Sequence, residues 1–239
     1  MIKHYNISNQ AYGEFNGGDI IENKPLGFPQ DGGKLKPYSN LFYWAHASAK
    51  KDSVIGLHPH RGFEIMSIVL EGNIQHYDTL LKQWIPLKKG DVQLIQSGSG
   101  ISHAEAMQSE SEIFQIWFNP DLRKTLSHPA KYLDVKGKDL PQTNHITTIV
   151  GKDSPIQLES EKIEITEIAL QVGKFQMDIE KEFYYSFYLI EGELMIHQVR
   201  VSKDDFFIVE DEESLNYEVL VNGRMLCIKS PVTLSYPVY

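Results

Sequence analysis

The stretch HPHRGFEIMSIVLEG, residues 58–72, decides the fold because its pattern occurs twice along the chain. Laid without gaps, it matches DIEKEFYYSFYLIEG, residues 178–192, in its Phe, in its apolar run and in its final Glu-Gly. A second block, GDVQLIQSGSGISHAE (90–105), lies over DDFFIVEDEESLNYEV (204–219) with the same apolar alternation. The sequence therefore predicts one β-barrel motif that occurs twice. The alternative is a chance likeness between short apolar strands.

Short strands are predicted along most of the chain. Runs rich in Ile, Val, Phe and Tyr are interrupted by Gly, Asp and Asn at intervals of about ten residues, which is typical of antiparallel sandwiches and barrels. A helix is expected only within 121–134, where Asp121 can cap it and Pro129 limits its length. The predicted organisation is all-β, with an N-terminal barrel (1–120), a linker with a short helix (121–145) and a C-terminal barrel (146–239).

Composition limits the classes of function. The 239 residues carry a formal net charge of −9, so the chain lacks the basic face that direct nucleic-acid binding requires. The single cysteine, Cys227, cannot form an internal disulfide, and no apolar run reaches the roughly 18 residues of a membrane-spanning helix. The first fifteen residues contain no apolar signal-peptide core. We expect a cytoplasmic monomer that binds neither nucleic acid nor membrane.

Four residues have the spacing of metal ligands. Side chains at i and i+2 of a strand share one face, so His58 and His60 converge, and His103 and Glu105 do the same after the Gly-rich turn 97–100. Three imidazoles and one carboxylate suit a divalent transition metal with positions left open for a substrate. The alternative for the first pair alone is an exposed strand face that binds metal only incidentally.

HPHRGFE, followed after about forty residues by GDVQLIQSGSGISHAE, resembles the pirin family of the cupin superfamily. The resemblance is strongest over 42–118 and weaker over 146–239. It implies a bicupin fold of two antiparallel, jelly-roll-type barrels. It also implies one metal ion held by His58, His60, His103 and Glu105, with iron expected and zinc, manganese, nickel, cobalt or copper as alternatives. The chain departs from the general cupin pattern at Gln96-Ser97-Gly98, where Pro-x-Gly is usual, and it has no Gly six residues before His58.

The resemblance leaves the catalytic carboxylate open between two residues. Glu64 stands where the general cupin motif His-x-His-x3-Glu places its ligand, whereas the pirin carboxylate corresponds to Glu105. We favour Glu105 and expect Glu64 to orient an imidazole. His76 is a candidate to face the barrel mouth, and Arg61 to form either an ion pair or an anion contact at its rim. The aromatic residues that could wall a pocket are Phe42, Tyr43, Trp44, Phe63 and Trp117.

The resemblance implies that the protein is a flavonol dioxygenase. This activity is quercetin 2,4-dioxygenase, which is also named quercetin 2,3-dioxygenase. In that scheme Glu105 accepts the proton of the flavonol 3-hydroxyl, and the ring is cleaved by dioxygen with release of carbon monoxide. The partners are then an aromatic small molecule and dioxygen. The alternative is a non-enzymatic, iron-binding redox regulator that binds a protein partner, and a third reading is a small-molecule-binding barrel with an incidental metal. The four ligands do not separate these alternatives.

The C-terminal half lacks ligands at the corresponding positions. In the gapless alignment, Asp178 and Glu180 replace the histidine pair, and Tyr217 and Val219 replace the second pair of ligands. Two carboxylates with no facing partner hold a hard cation only loosely. The C-terminal barrel is therefore predicted to be degenerate and metal-free.

Elemental analysis of the purified protein should find about one transition-metal ion per chain, because only one half keeps a complete ligand set. Two ions per chain would contradict the degenerate second barrel.

Overall fold

Alternating apolar residues form strands along the chain, and the computed structural model describes residues 1–239. All strand pairs are antiparallel, which confirms the all-β prediction. Strands β1 to β10 are Ile2–Tyr5, Ala11–Phe15, Ile20–Leu26, Leu41–Ala49, Ser53–His60, Glu64–Glu71, Asn73–Asp78, Trp84–Lys88, Val92–Gln96 and Ile101–Met107. Strands β11 to β20 are Glu112–Phe118, Lys131–Val135, Gln142–Thr143, Ile146–Val150, Glu164–Leu170, Gly173–Asp178, Phe183–Ile196, Val199–Ser202, Phe206–Val209 and Ser214–Pro231.

Helical structure is short. The α-helix α1 spans Leu122–Thr125 and lies in the predicted region. The side chain of Asp121 accepts a hydrogen bond from the backbone N–H of Arg123 and so caps the helix, as predicted. Two further 3-10 turns lie at Ile7–Asn9 and Gly137–Asp139. No helix has the length and apolar character needed to cross a membrane.

One compact unit, called here the first unit, comprises Gln10–Asp139, Leu158–Ser160 and Tyr236–Tyr239. It has a seven-stranded sheet in the order β12-β9-β6-β11-β4-β3-β2 and a four-stranded sheet in the order β5-β10-β7-β8. The predicted linker (121–145) contributes β12 to the larger sheet, where Val135 is buried and pairs with Val92. Part of the predicted linker is therefore a strand of the larger sheet, paired with β9.

The second unit comprises Met1–Asn9, Leu140–Gln157 and Glu161–Ser235. Its nine-stranded sheet has the order β1-β19-β17-β20-β15-β14-β13, with β16 on β20 and β18 on β17. Residues 1–9 were predicted to belong to the N-terminal barrel, whereas β1 pairs with β19 of the second unit, from Ile2 opposite Val209 to Tyr5 opposite Phe206. The apolar interior includes the parallel-stacked rings of Phe187 and Phe207, with centroids 4.6 Å apart.

Two glycines join β5 to β10 in the first unit. The N–H of Gly62 donates to the carbonyl of Gly98 at 3.0 Å. Both have positive φ angles, +86° and +48°, which favour glycine. A Cβ on Gly98 would lie 2.4 Å from the carbonyl oxygen of His128, and one on Gly62 would lie 2.9 Å from Leu122. The turns that end β5 and begin β10 therefore depend on residues without a side chain.

Glu64 binds a distant segment of the first unit. Its carboxylate is buried and accepts hydrogen bonds from Gln96 Nε2, from the backbone N–H groups of Glu159 and Ser160, and from Ser160 Oγ, at 2.6–2.9 Å. Burial raises the pKa of the Glu64 carboxyl, whereas the hydrogen bonds from Ser160 and Gln96 act in the opposite direction. None of these partners is a histidine. Glu64 therefore does not orient an imidazole in this structure.

We expect Glu64→Gln to lower the free energy of unfolding by about 1–3 kcal/mol, because the amide nitrogen would face donors where an oxygen now accepts. Urea denaturation measures this change. Glu71→Gln is the matched control, since Glu71 ends the same strand with its side chain half exposed, and it should shift stability by less than about 0.5 kcal/mol. Equal stability of the two variants would contradict the structural role of Glu64.

Candidate metal centre

Three histidines meet on the inner face of the β5–β10 pair. His103 lies directly opposite His58, and His60 lies two residues further along β5. The ring centroids are 4.4 Å apart for His58 and His103, 4.7 Å for His60 and His103, and 4.8 Å for His58 and His60. One nitrogen from each ring lies within 4.8 Å of the others. The predicted convergence of the three imidazoles is present.

A β-bulge lies beside the histidine cluster. Between His103 and Glu105 the register shifts from His58 to Ile55, so that Gly56 and Leu57 together oppose the single residue Ala104. A bulge of this kind bends a strand and re-aims its side chains. It lets His58 and Ile55 both face inward although they are three residues apart.

The imidazole nitrogens are free to bind a metal. His58 Nδ1 donates to the carbonyl of Gly56 at 2.7 Å, which leaves the lone pair on Nε2. Neither nitrogen of the buried His103, nor Nε2 of His60, has a hydrogen-bond partner. Burial, together with the neighbouring histidines, lowers the pKa of His60 and of His103 to about 3. Neutral, unpaired imidazoles are the form that transition metals bind, so the donor set fits a metal ion.

Glu105 lies in the same interior with its carboxylate held by two side chains. The residue is buried, Ser67 Oγ donates to Oε1 at 3.3 Å, and Gln115 Nε2 donates to Oε2 at 2.7 Å. Trp117 Nε1 donates a hydrogen bond to Gln115 Oε1 at 3.2 Å. Because an indole N–H only donates, it fixes the orientation of that amide. The three-histidine group does not include Glu105, so its role as fourth ligand stays a prediction.

An aromatic wall extends outward from the histidines. The ring of Trp117 contacts His60 edge-on with centroids 4.8 Å apart, and Phe63 follows at 5.6 Å from Trp117. Phe42 lies 4.6 Å from Phe63, and Tyr43 lies 5.2 Å from Trp117. Four of the five aromatic residues named from the sequence therefore form one continuous surface that reaches the cluster.

Trp44 and Arg61 lie apart from that wall. Trp44 is fully buried and contacts Phe114 at 5.6 Å, because it faces the opposite side of β4 from its neighbour Tyr43. Arg61 is exposed, forms no ion pair, and borders an open depression of about 510 Å³ that His60 also lines. The ion pair considered for Arg61 is not formed in this structure, and the anion contact stays a prediction. The other residues around the depression are Pro59, Thr79, Gly100, Ile101 and Ser102.

His76 lies inside the first unit, not at its mouth. It is fully buried, its Nε2 lies 2.8 Å from Asp78 Oδ2, and its ring is stacked on Tyr132 with centroids 4.7 Å apart. Its ring centroid is 5.6 Å from that of His103. His76 therefore packs beside His103 in the interior of the first unit.

Sequence reasoning missed a row of polar residues on the inner face of the larger sheet. Gln93 pairs with Ser67, and Ser67 pairs with Gln115. Each is the single polar residue of an otherwise apolar run, in VQLI, IMSIVL and IFQIWF. A lone polar residue between buried neighbours is the signal that could have identified them.

The chain is similar to known proteins in sequence and in fold. The family model described as Pirin matches residues 27–118. The quercetin 2,3-dioxygenase of Escherichia coli K12 is 26% identical over 185 residues, which cover 74% of this chain and 76% of that protein. The crystal structure of YhhW from E. coli has a TM-score of 0.84 at 19% identity, over 99% of this chain and 100% of that one. That of the bacterial pirin YhhW with nickel(II) has a TM-score of 0.81 at 20% identity, over 98% and 100%. The structural likeness confirms the predicted bicupin fold.

We expect Gln115→Leu to weaken metal binding roughly 10- to 100-fold, because supporting hydrogen bonds to a ligand contribute about that factor. A competition titration with a chromogenic chelator measures this affinity without any substrate. Gln75→Leu is the control, since Gln75 is exposed on β7. Equal metal affinity in both variants would show that Gln115 does not support a ligand.

Proposed function

We propose that this chain, whose residues 27–118 belong to the pirin family, is a metal-dependent dioxygenase that cleaves a flavonol such as quercetin with release of carbon monoxide. The observation that carries the proposal is the cluster of three imidazoles beside the buried Glu105, in which Nε2 of His60 and both nitrogens of His103 have no hydrogen-bond partner. The relative named quercetin 2,3-dioxygenase supports the choice of substrate.

The residues that would hold the metal are His58, His60, His103 and Glu105. Three nitrogens and one oxygen leave coordination positions for a substrate oxygen. Iron is the expected metal, and the structural relative with nickel(II) supports a divalent ion. A bound ion of this kind supplies Lewis acidity and, where it is redox-active, a path for electrons between the flavonol and dioxygen.

Glu105 is the proposed acceptor of the flavonol 3-hydroxyl proton. Its carboxylate is buried and held by Ser67 and Gln115, so its position is fixed before a substrate binds. A general base positioned in this way contributes more than a mobile one, because no reorganisation accompanies the proton transfer.

The aromatic wall provides an apolar surface for the flavonol rings. Trp117 and Phe63 continue the surface from His60 outward, and stacked or edge-on contacts with aromatic rings are worth about 0.5–1.5 kcal/mol each beyond burial. These side chains orient the substrate and exclude water from its reacting oxygen. Their apolar character favours a planar aromatic substrate over a sugar or a charged metabolite.

Glu105→Gln should lower dioxygen consumption with flavonols by roughly 10² to 10⁴-fold, because an amide cannot accept the hydroxyl proton. Metal content, measured by elemental analysis, should fall far less, since three histidines remain. Glu64→Gln is the comparison variant and should keep its turnover per bound metal at a temperature where it is folded.

Near-normal dioxygen consumption by fully metallated Glu105→Gln would rule out the proton transfer. Proportional loss of metal and rate would make Glu105 a ligand only. A selective loss of turnover in Glu64→Gln would move the catalytic role to that residue. If the wild-type, metal-replete protein consumed no dioxygen with any flavonol but bound a protein partner according to its metal state, the regulatory alternative would replace the enzyme.

A further inference from the structure

The second unit repeats the strand pairing of the first but not its ligands. β16 pairs with the first part of β20 as β5 pairs with β10. Phe175 lies opposite Tyr217, and Tyr217 aligns with His103 in the sequence repeat. The register therefore makes Phe175 the counterpart of His58. Asp178, which the gapless alignment matched to that histidine, lies three residues further along and opposite Ser214.

A longer turn explains the displaced alignment. Two residues separate His60 from Phe63, whereas five separate Met177 from Phe183. Met177 lies opposite Leu215 and takes the place of His60. Glu180 falls in the turn, outside β16, where it forms an ion pair with Lys229 at 2.5 Å. The place of the histidine cluster is thus taken by a phenyl ring, a thioether and a phenol.

A cavity of about 280 Å³ opens at this place in the second unit. The rings of Phe175 and Tyr217 form part of its wall and are stacked, with centroids 5.6 Å apart and an interplanar angle of 23°. Phe175 is 36% exposed, whereas Tyr217 is 8% exposed. The other main lining residues are Asn144, His145, Leu170 and Gln171.

The cavity has polar groups but no carboxylate, lysine or arginine in its lining. The Tyr217 hydroxyl makes no hydrogen bond to another residue of the chain. Burial raises the pKa of Tyr217, so the hydroxyl keeps its proton at neutral pH and is available as a donor. A ligand held here is therefore expected to be uncharged and to carry a hydrogen-bond acceptor.

The size of the cavity limits the ligand to a small molecule. A cavity of about 150 Å³ lined by apolar side chains takes benzene, while pockets for drug-sized ligands begin at about 300 Å³. The observed volume therefore suits one substituted ring.

We propose that the cavity between Phe175, Tyr217 and Leu170 in the second unit is a metal-independent binding site for a single-ring, uncharged aromatic molecule of the phenol class. The ring lies against the stacked aromatic pair, and its oxygen accepts a hydrogen bond from the Tyr217 hydroxyl. This site is separate from the dioxygenase proposal and does not require it.

Phenol is the probe for this site. In a titration of the metal-replete full chain with methyl-labelled leucine, the resonance of Leu170 should shift and saturate. His103→Ala should bind phenol with the same affinity, because the cavity contains no residue of the histidine cluster. Phe175→Leu should bind roughly 2- to 10-fold more weakly, since it loses an aromatic face but keeps an apolar side chain.

Tyr217→Phe separates the hydrogen bond from the stacking. It should weaken phenol roughly 2- to 10-fold and leave toluene unchanged, because toluene has no acceptor. Tyr12→Phe is the control, since Tyr12 is an exposed tyrosine in the first unit. The absence of a saturable shift at Leu170 would overturn the proposal. So would a shift that both cavity variants leave unchanged, and so would loss of phenol binding in His103→Ala.

Discussion

The candidate metal centre depends on the register of one antiparallel strand pair. Residues opposite each other share a face, so the pairing of His103 with His58 brings imidazoles from two strands together. A slip of one residue would turn His103 to the outer face. Gly62 and Gly98 join the ends of the two strands by a hydrogen bond. The cluster is thus set by backbone pairing before any metal binds.

That arrangement costs the first unit stability when no metal is bound. Both nitrogens of His103 and Nε2 of His60 are buried without partners, and unpaired polar groups in an apolar interior are unfavourable. The lowered pKa values show that protonation does not relieve this cost. A metal ion would pair one nitrogen of each of these two histidines, so its binding energy would also be folding energy.

Much of the fold and of the cluster could be predicted because both depend on local patterns. Apolar alternation identified the strands, and the i, i+2 spacing identified His58, His60 and His103. Contacts between distant segments were not predictable in this way. The partners of Glu64, Glu159 and Ser160, lie 95 and 96 residues further along the chain, so a motif that fits Glu64 to a metal could not reveal its real hydrogen bonds.

In the repeat, too, the apolar pattern of the strands was predictable, whereas the lengths of the turns were not. The apolar residues that build a barrel are kept in both halves, so β17 aligned with β6 without gaps. The turn after β16 is longer by three residues, and the alignment therefore failed at the residues that decide the chemistry. In the second unit Tyr217 and Val219 belong to an apolar cluster, whereas the corresponding interior of the first unit holds Glu105, Ser67 and Gln115. The same strand pairing thus encloses three histidines and several polar side chains in the first unit, whereas in the second unit it encloses an apolar cluster.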